Sequence, residues 1–120
     1  MSANQIMDRI MLNLSGLQDG ELIHGQMNNE SFKKYHEQVS IISNFNLIID
    51  DRGGIDISYI RSKLKQNTNI DVVIIDYLQL MKMGVKKNST REQDVTDTTV
   101  RLKALAKEFN VPIIALSQLS

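Results

Sequence analysis

The run Asp71-Val72-Val73-Ile74-Ile75-Asp76-Tyr77-Leu78-Gln79-Leu80-Met81 limits the possible folds of this chain more than any other stretch. Val72 to Ile75 are four consecutive β-branched apolar residues, the pattern of a strand buried on both faces inside a parallel sheet. The strand ends in a carboxylate, Asp76. Ligands of open α/β sheets bind beyond the carboxyl ends of the strands. An acid there is placed to hold a magnesium ion, directly or through water, beside nucleotide phosphates. Taken by itself, such an acid more often has a plainer role, capping the amino terminus of a neighbouring helix.

The rest of the chain supplies helices and strands in alternation. Ser2 is an N-cap candidate, followed by Ile6, Met7, Ile10, Met11 and Leu14 at helical spacing. A second helix is predicted from Asn29 to Ser43, with Phe32, Tyr35, Val39 and Ile42 on one face. Residues 46–50 read as a short buried strand, and Gly53-Gly54 turns the chain. Asp56 or Ile57 then opens a third helix with Ile57, Ile60 and Leu64 inward. After the Asp76 strand comes a polar loop from Lys82 to Thr90. A long helix from Arg91 to Phe109 carries Val95, Thr99, Leu102, Leu105 and Phe109 as its stripe. Asn110 ends it, and Val111 to Leu116 is the last strand. The order predicts an α/β fold: a three-stranded parallel sheet with right-handed crossovers, flanked by helices.

Size and composition exclude several classes. The 120 residues, 42% of them hydrophobic, support at most one domain with a modest core. Fourteen basic residues balance fourteen acidic ones, so bulk charge gives no drive toward nucleic acid or acidic lipid. The absence of cysteine excludes disulfides and thiolate metal sites and suits a reducing cytoplasm. No window is apolar enough for a membrane span, and no signal-peptide core opens the chain.

The string Ile75-Asp76-Tyr77-Leu78-Gln79-Leu80-Met81 resembles the Walker B segment of the DnaB-type replicative DNA helicases. Leu102-Lys103-Ala104-Leu105-Ala106-Lys107-Glu108, followed by Val111 through Ser120, is similar to the next helix and strand of that family in order and spacing. Ile49-Asp50-Asp51 and Met1 to Arg9 also look like family segments, so the resemblance spans the chain. It implies part of a RecA-like P-loop NTPase core running from Walker B to the sensor glutamine. It also implies an ATP-dependent hydrolase, with magnesium, that moves on single-stranded DNA at the replication fork. The implied setting is a cytoplasmic homo-hexamer that meets a primase and a helicase loader. By that resemblance Asp76 orders the magnesium ion, and Gln118, beside Ser117, senses the nucleotide's phosphate and couples its loss to DNA contacts.

Other residues are weighed on their chemistry. Ser117 and Gln118 fall at the carboxyl end of the last strand, hence at the sheet edge of Asp76. A neutral amide there can bond a γ-phosphate without adding charge; the alternative is a polar strand end facing solvent. The loop Lys82-Met83-Gly84-Val85-Lys86-Lys87-Asn88-Ser89-Thr90-Arg91 offers four cations and no acid. Lys82, Lys86, Lys87 and Arg91 are therefore candidate contacts to a DNA backbone, in a loop with no aromatic residue for base stacking. Asp50 and Asp51 suit a structural role, capping the Ile57 helix or fixing the glycine turn, more than acid–base chemistry. His24 and His36 lack partners at ligand spacing, the methionines read as core or loop filler, and Tyr77 as a packing residue.

No Gly-x-x-x-x-Gly-Lys-Ser/Thr loop occurs in the 120 residues. In the family that loop lies upstream of the segment that Met1 opens, a catalytic glutamate sits just before the methionine matched by Met1, and the arginine finger lies downstream of the segment matched by Ser120. Asp94 stands where relatives usually carry glutamate. The expectation is a chain without ATPase or unwinding activity of its own. The alternative is a non-catalytic RecA-like interaction module; a recombinase or clock-type ATPase accounts less well for Asp76-Tyr77-Leu78-Gln79-Leu80-Met81.

Overall fold

In the computed structural model the described residues are 1–17, 20–21, 25, 27–81 and 90–118. They form two compact units, residues 1–51 and 52–120.

In the first unit, the two helices whose bounds fall within the described residues pack together. Helix α1 spans Ala3–Ser15 and opens with a capping box: the Ser2 hydroxyl accepts from the Gln5 N–H, and the Gln5 side chain accepts from the Ser2 N–H. Asp51 Oδ2 accepts from the Ala3 N–H at 2.8 Å, so this acid serves α1 and not the Ile57 helix. Gly16 closes α1 at φ 66°, a left-handed conformation that glycine adopts without a side-chain clash. Helix α2 spans Asn29–Ile42, capped by Asn28, and packs on α1. The faces are rotated from those the spacing predicts. Leu12 is buried in place of Leu14, and Ser31, Tyr35, Gln38 and Ile42 turn inward while Phe32 and Val39 are exposed.

The second unit carries the sheet. Helix α3 spans Ile57–Gln66, with Asp56 Oδ1 accepting from the Tyr59 N–H at 2.8 Å as its cap. Strand β1 is Val73–Ile75, a 3-10 turn follows at Leu78–Leu80, helix α4 spans Arg91–Phe109, and strand β2 is Ile113–Ala115. The strands run parallel, Val73 opposite Ile113 and Ile75 opposite Ala115. On α4 the buried stripe is Val95, Thr98, Leu102, Leu105 and Phe109, a regular three-and-four spacing. Thr98 occupies the position expected of Thr99, whose hydroxyl instead bonds the Val95 carbonyl at 2.8 Å. Asn110 ends α4 in the left-handed conformation at φ 51°. The core joins Ile60 and Leu64 of α3, Ile75, Leu78 and Met81, Leu102 and Leu105 of α4, and Val111.

Two expectations about the sheet are corrected. It has two strands among the described residues, because residues 46–50 take no ladder partner and leave Leu47 and Ile48 exposed. β1 is also buried on one face only. Alternation turns Val73 and Ile75 toward the core and Ile74 outward, where it stays 64% exposed.

Candidate functional site

The site forms where the two parallel strands end. Hydrogen bonding continues past the strands through Leu116. Its N–H donates to the Ile75 carbonyl at 2.9 Å, and its carbonyl accepts from the Leu78 N–H at 2.9 Å. Leu116 thus brackets the dipeptide Asp76-Tyr77, whose peptide bond is cis. Asp76 leaves the strand exposed, and among the described residues its carboxylate has no ion pair or hydrogen bond. Among the described residues the plainer reading, Asp76 as a helix cap, finds no support: α1 to α4 are capped by Ser2, Asn28, Asp56 and Thr90.

The 3-10 turn after Asp76 buries Leu78 and Met81 and leaves Gln79 half-buried at the surface. Gln79 reaches across to the other strand's end. Its Nε2 donates to Ser117 Oγ at 2.9 Å and to the Gln118 carbonyl at 3.1 Å, while its Oε1 accepts from the Gln118 N–H at 3.3 Å. Ser117 and Gln118 are both exposed, and Gln118 enters this arrangement through its backbone. Asp76, Ser117 and Gln118 are therefore gathered at one sheet edge, as the strand order predicts. Gln79 is the residue the sequence reading missed. Its signal was an amide set among Leu78, Leu80 and Met81, where an apolar residue would extend the run.

A magnesium ion fits this chemistry. Mg²⁺ keeps several waters and takes one or two carboxylates together with substrate phosphates, so it does not require a protein cage. Asp76 supplies one free carboxylate at the ligand-binding end of the strands, and no cluster of three or more metal-ligating side chains exists among the described residues. The hollow lined by Leu64, Asn67, Ile70, Phe109 and Val111 lies at the opposite, amino-terminal end of both strands.

Of the candidate DNA contacts, Arg91 is the exposed first residue of α4; Lys82, Lys86 and Lys87 lie outside the described residues, as does His24. Beside Arg91, Thr90 caps α4 in a capping box with Gln93. The Glu92 carboxyl is held below its usual range, first by a backbone N–H, then by the Thr90 hydroxyl and the Arg91 charge.

Known proteins match this chain over its whole length. The family described as DnaB-like helicase C terminal domain matches residues 1–120. The chain is 41% identical to a probable replicative DNA helicase of Trieres chinensis and covers 27% of that protein. It is 36% identical to the replicative DNA helicase DnaB of Rickettsia bellii and covers 24% of it. Both alignments include all of this chain, which spans about a quarter of the length of these curated relatives. Among solved structures, one described as an ATPase domain superposes with a TM-score of 0.87 at 31% identity, over all of this chain and 44% of that one. A DnaB-like replicative helicase, described together with its interactions with primase, gives 0.86 at 31% identity, over all of this chain and 31% of that one.

Proposed function

This chain belongs to the DnaB-like helicase C-terminal domain family, and from that membership we propose that it forms the part of a replicative helicase motor between the Walker B strand and the sensor glutamine. The motor couples ATP hydrolysis to movement along single-stranded DNA and to unwinding of duplex at the replication fork. The observation that carries the reading is the joint placement of a free carboxylate and a glutamine at the carboxyl ends of two paired parallel strands.

Roles follow from position. Asp76 is the chain's acid for a magnesium ion, with waters and nucleotide phosphates completing the shell. When bound, the ion neutralises charge on the β- and γ-phosphates of ATP. Gln118, neutral and exposed one strand away, meets the γ-phosphate and registers its loss, with Ser117 beside it. Lys82, Lys86, Lys87 and Arg91 follow the DNA backbone. The working assembly is a homo-hexamer in the cytoplasm that meets a primase and a helicase loader. No helix among the described residues is long and apolar enough to cross a membrane.

The test uses the full-length protein that carries this chain. Asp76→Ala should lower magnesium-dependent ATPase by on the order of 100-fold or more while the hexamer still assembles. Wild-type protein without ATPase, or an Asp76→Ala variant that retains it, would move the chain to the non-catalytic alternative, a RecA-like interaction module.

A further inference from the structure

We infer that Gln79 is the positioning residue of this site: its side-chain amide fixes the backbone of Gln118 and thereby where the Gln118 side chain is delivered. The inference rests on the ATPase reading above and adds to it a residue on the Walker B segment that acts through the sensor. Gln79 does its work without touching nucleotide.

The geometry is specific. Regular pairing between the strands ends at Leu116. Beyond it, the backbone of Gln118 is bonded on both its polar groups by one side chain, N–H to Gln79 Oε1 and carbonyl to Gln79 Nε2. The backbone dictates the amide's orientation, since an N–H needs an acceptor and a carbonyl a donor. Two bonds to one residue set its rotation as well as its distance. A third, to Ser117 Oγ at 2.9 Å, holds the preceding residue. The clamp is itself anchored. Gln79 sits inside a 3-10 turn closed by Leu80 N–H to the Tyr77 carbonyl at 3.0 Å and Met81 N–H to the Leu78 carbonyl at 3.1 Å. Leu78 and Met81 on either side are buried.

Consequently the segment after Asp76 and the segment bearing Gln118 hold a fixed relation. A sensor amide must meet a phosphate oxygen at hydrogen-bond distance, and misplacement of about 1 Å can cost up to two orders of magnitude in rate. Binding of nucleotide depends on other groups, so loss of the clamp should appear in kcat and not in KM.

The experiment is a double-mutant cycle in the full-length protein, reading magnesium-dependent ATPase and thermal midpoint. Gln79→Ala should lower kcat about tenfold, with KM for ATP and the thermal midpoint close to wild type. Gln118→Ala should lower kcat at least as far, and the double variant should be no slower than Gln118→Ala alone. Gln79→Glu keeps the size and one acceptor but loses the donor, and should show the same kcat loss where the alanine variant folds poorly. Losses that multiply in the double variant would overturn the inference, as would an unchanged kcat or a change confined to KM. If Gln79→Ala and Gln79→Glu both unfold while Gln118→Ala stays folded, Gln79 is structural and the inference also fails. Asp76→Ala separates this from the premise. If it keeps ATPase, the ATPase reading falls and takes the clamp's role with it; if it abolishes ATPase and Gln79→Ala is neutral, only the clamp is refuted.

Discussion

Single residues divide this chain into those whose chemistry is exposed and those whose chemistry is spent on structure. Among the described residues, the side chains of Asp76 and Gln118 keep free functional groups at the strand ends, whereas Asp51, Asp56 and Thr90 use theirs to cap helices. In our proposal Lys82, Lys86, Lys87 and Arg91 act on DNA. A phosphate neutralised on single-stranded DNA contributes about 0.7 to the slope of log affinity against log salt. Replacing Lys82, Lys86, Lys87 and Arg91 with alanine in the full-length protein should therefore flatten that slope by roughly 0.7 for each cation in contact. The measurement is a fluorescence-anisotropy titration over several salt concentrations; an unchanged slope and affinity would remove the loop from the DNA path. By contrast Leu105, fully buried at 0% exposure, is pure core, and nothing in its chemistry faces a ligand.

Among the elements, α4 is the most legible in the sequence and the sheet the least. A helix announces itself locally: Thr90 with Gln93 marks the start, Asn110 the end, and the apolar spacing the face, so its bounds Arg91–Phe109 follow from sequence. The one-residue shift from Thr99 to Thr98 escapes because two adjacent threonines offer no contrast in polarity. Strand pairing is non-local, so residues 46–50 carry strand-like residues without any sign of whether a partner will meet them. Gln79 escapes for the same reason, its partners lying 38 and 39 positions away. The start of α4 also makes a prediction. Thr90→Ala removes the cap and should cost about 0.5–2 kcal/mol, read by denaturant unfolding. The Glu92 carboxyl, depressed in the folded state, adds stability that is present above its unfolded pKa and lost as pH falls through the folded one. The protection factors of the first-turn amides of α4, each exchange rate taken relative to its intrinsic rate at the same pH, should therefore fall in acid, below the usual carboxylate range, and Glu92→Gln should abolish that dependence.

The molecule as a whole leaves apolar surface uncovered beside its site. Val72, Ile74, Ile114 and Leu116 are exposed on the sheet, Ile74 by 64% and Ile114 by 52%. Among the described residues the sheet has two strands and open edges, and with such a face it invites association. The 120-residue chain produced alone should sediment as dimers or larger species at micromolar concentration, and Ile74→Lys with Ile114→Lys should return it to monomer. A monomeric unmodified chain in sedimentation velocity would contradict this. The parallel pairing of β1 with β2 carries one more consequence, for the order in which the protein is made. Gln79 leaves the ribosome 38 residues ahead of Ser117, at synthesis rates of about 5–20 residues per second a lead of roughly two to eight seconds. Throughout that interval β1 is a nascent strand without its neighbour, and the acid and the glutamine cannot yet share an edge. Translation itself thus sets the earliest moment at which this site can exist.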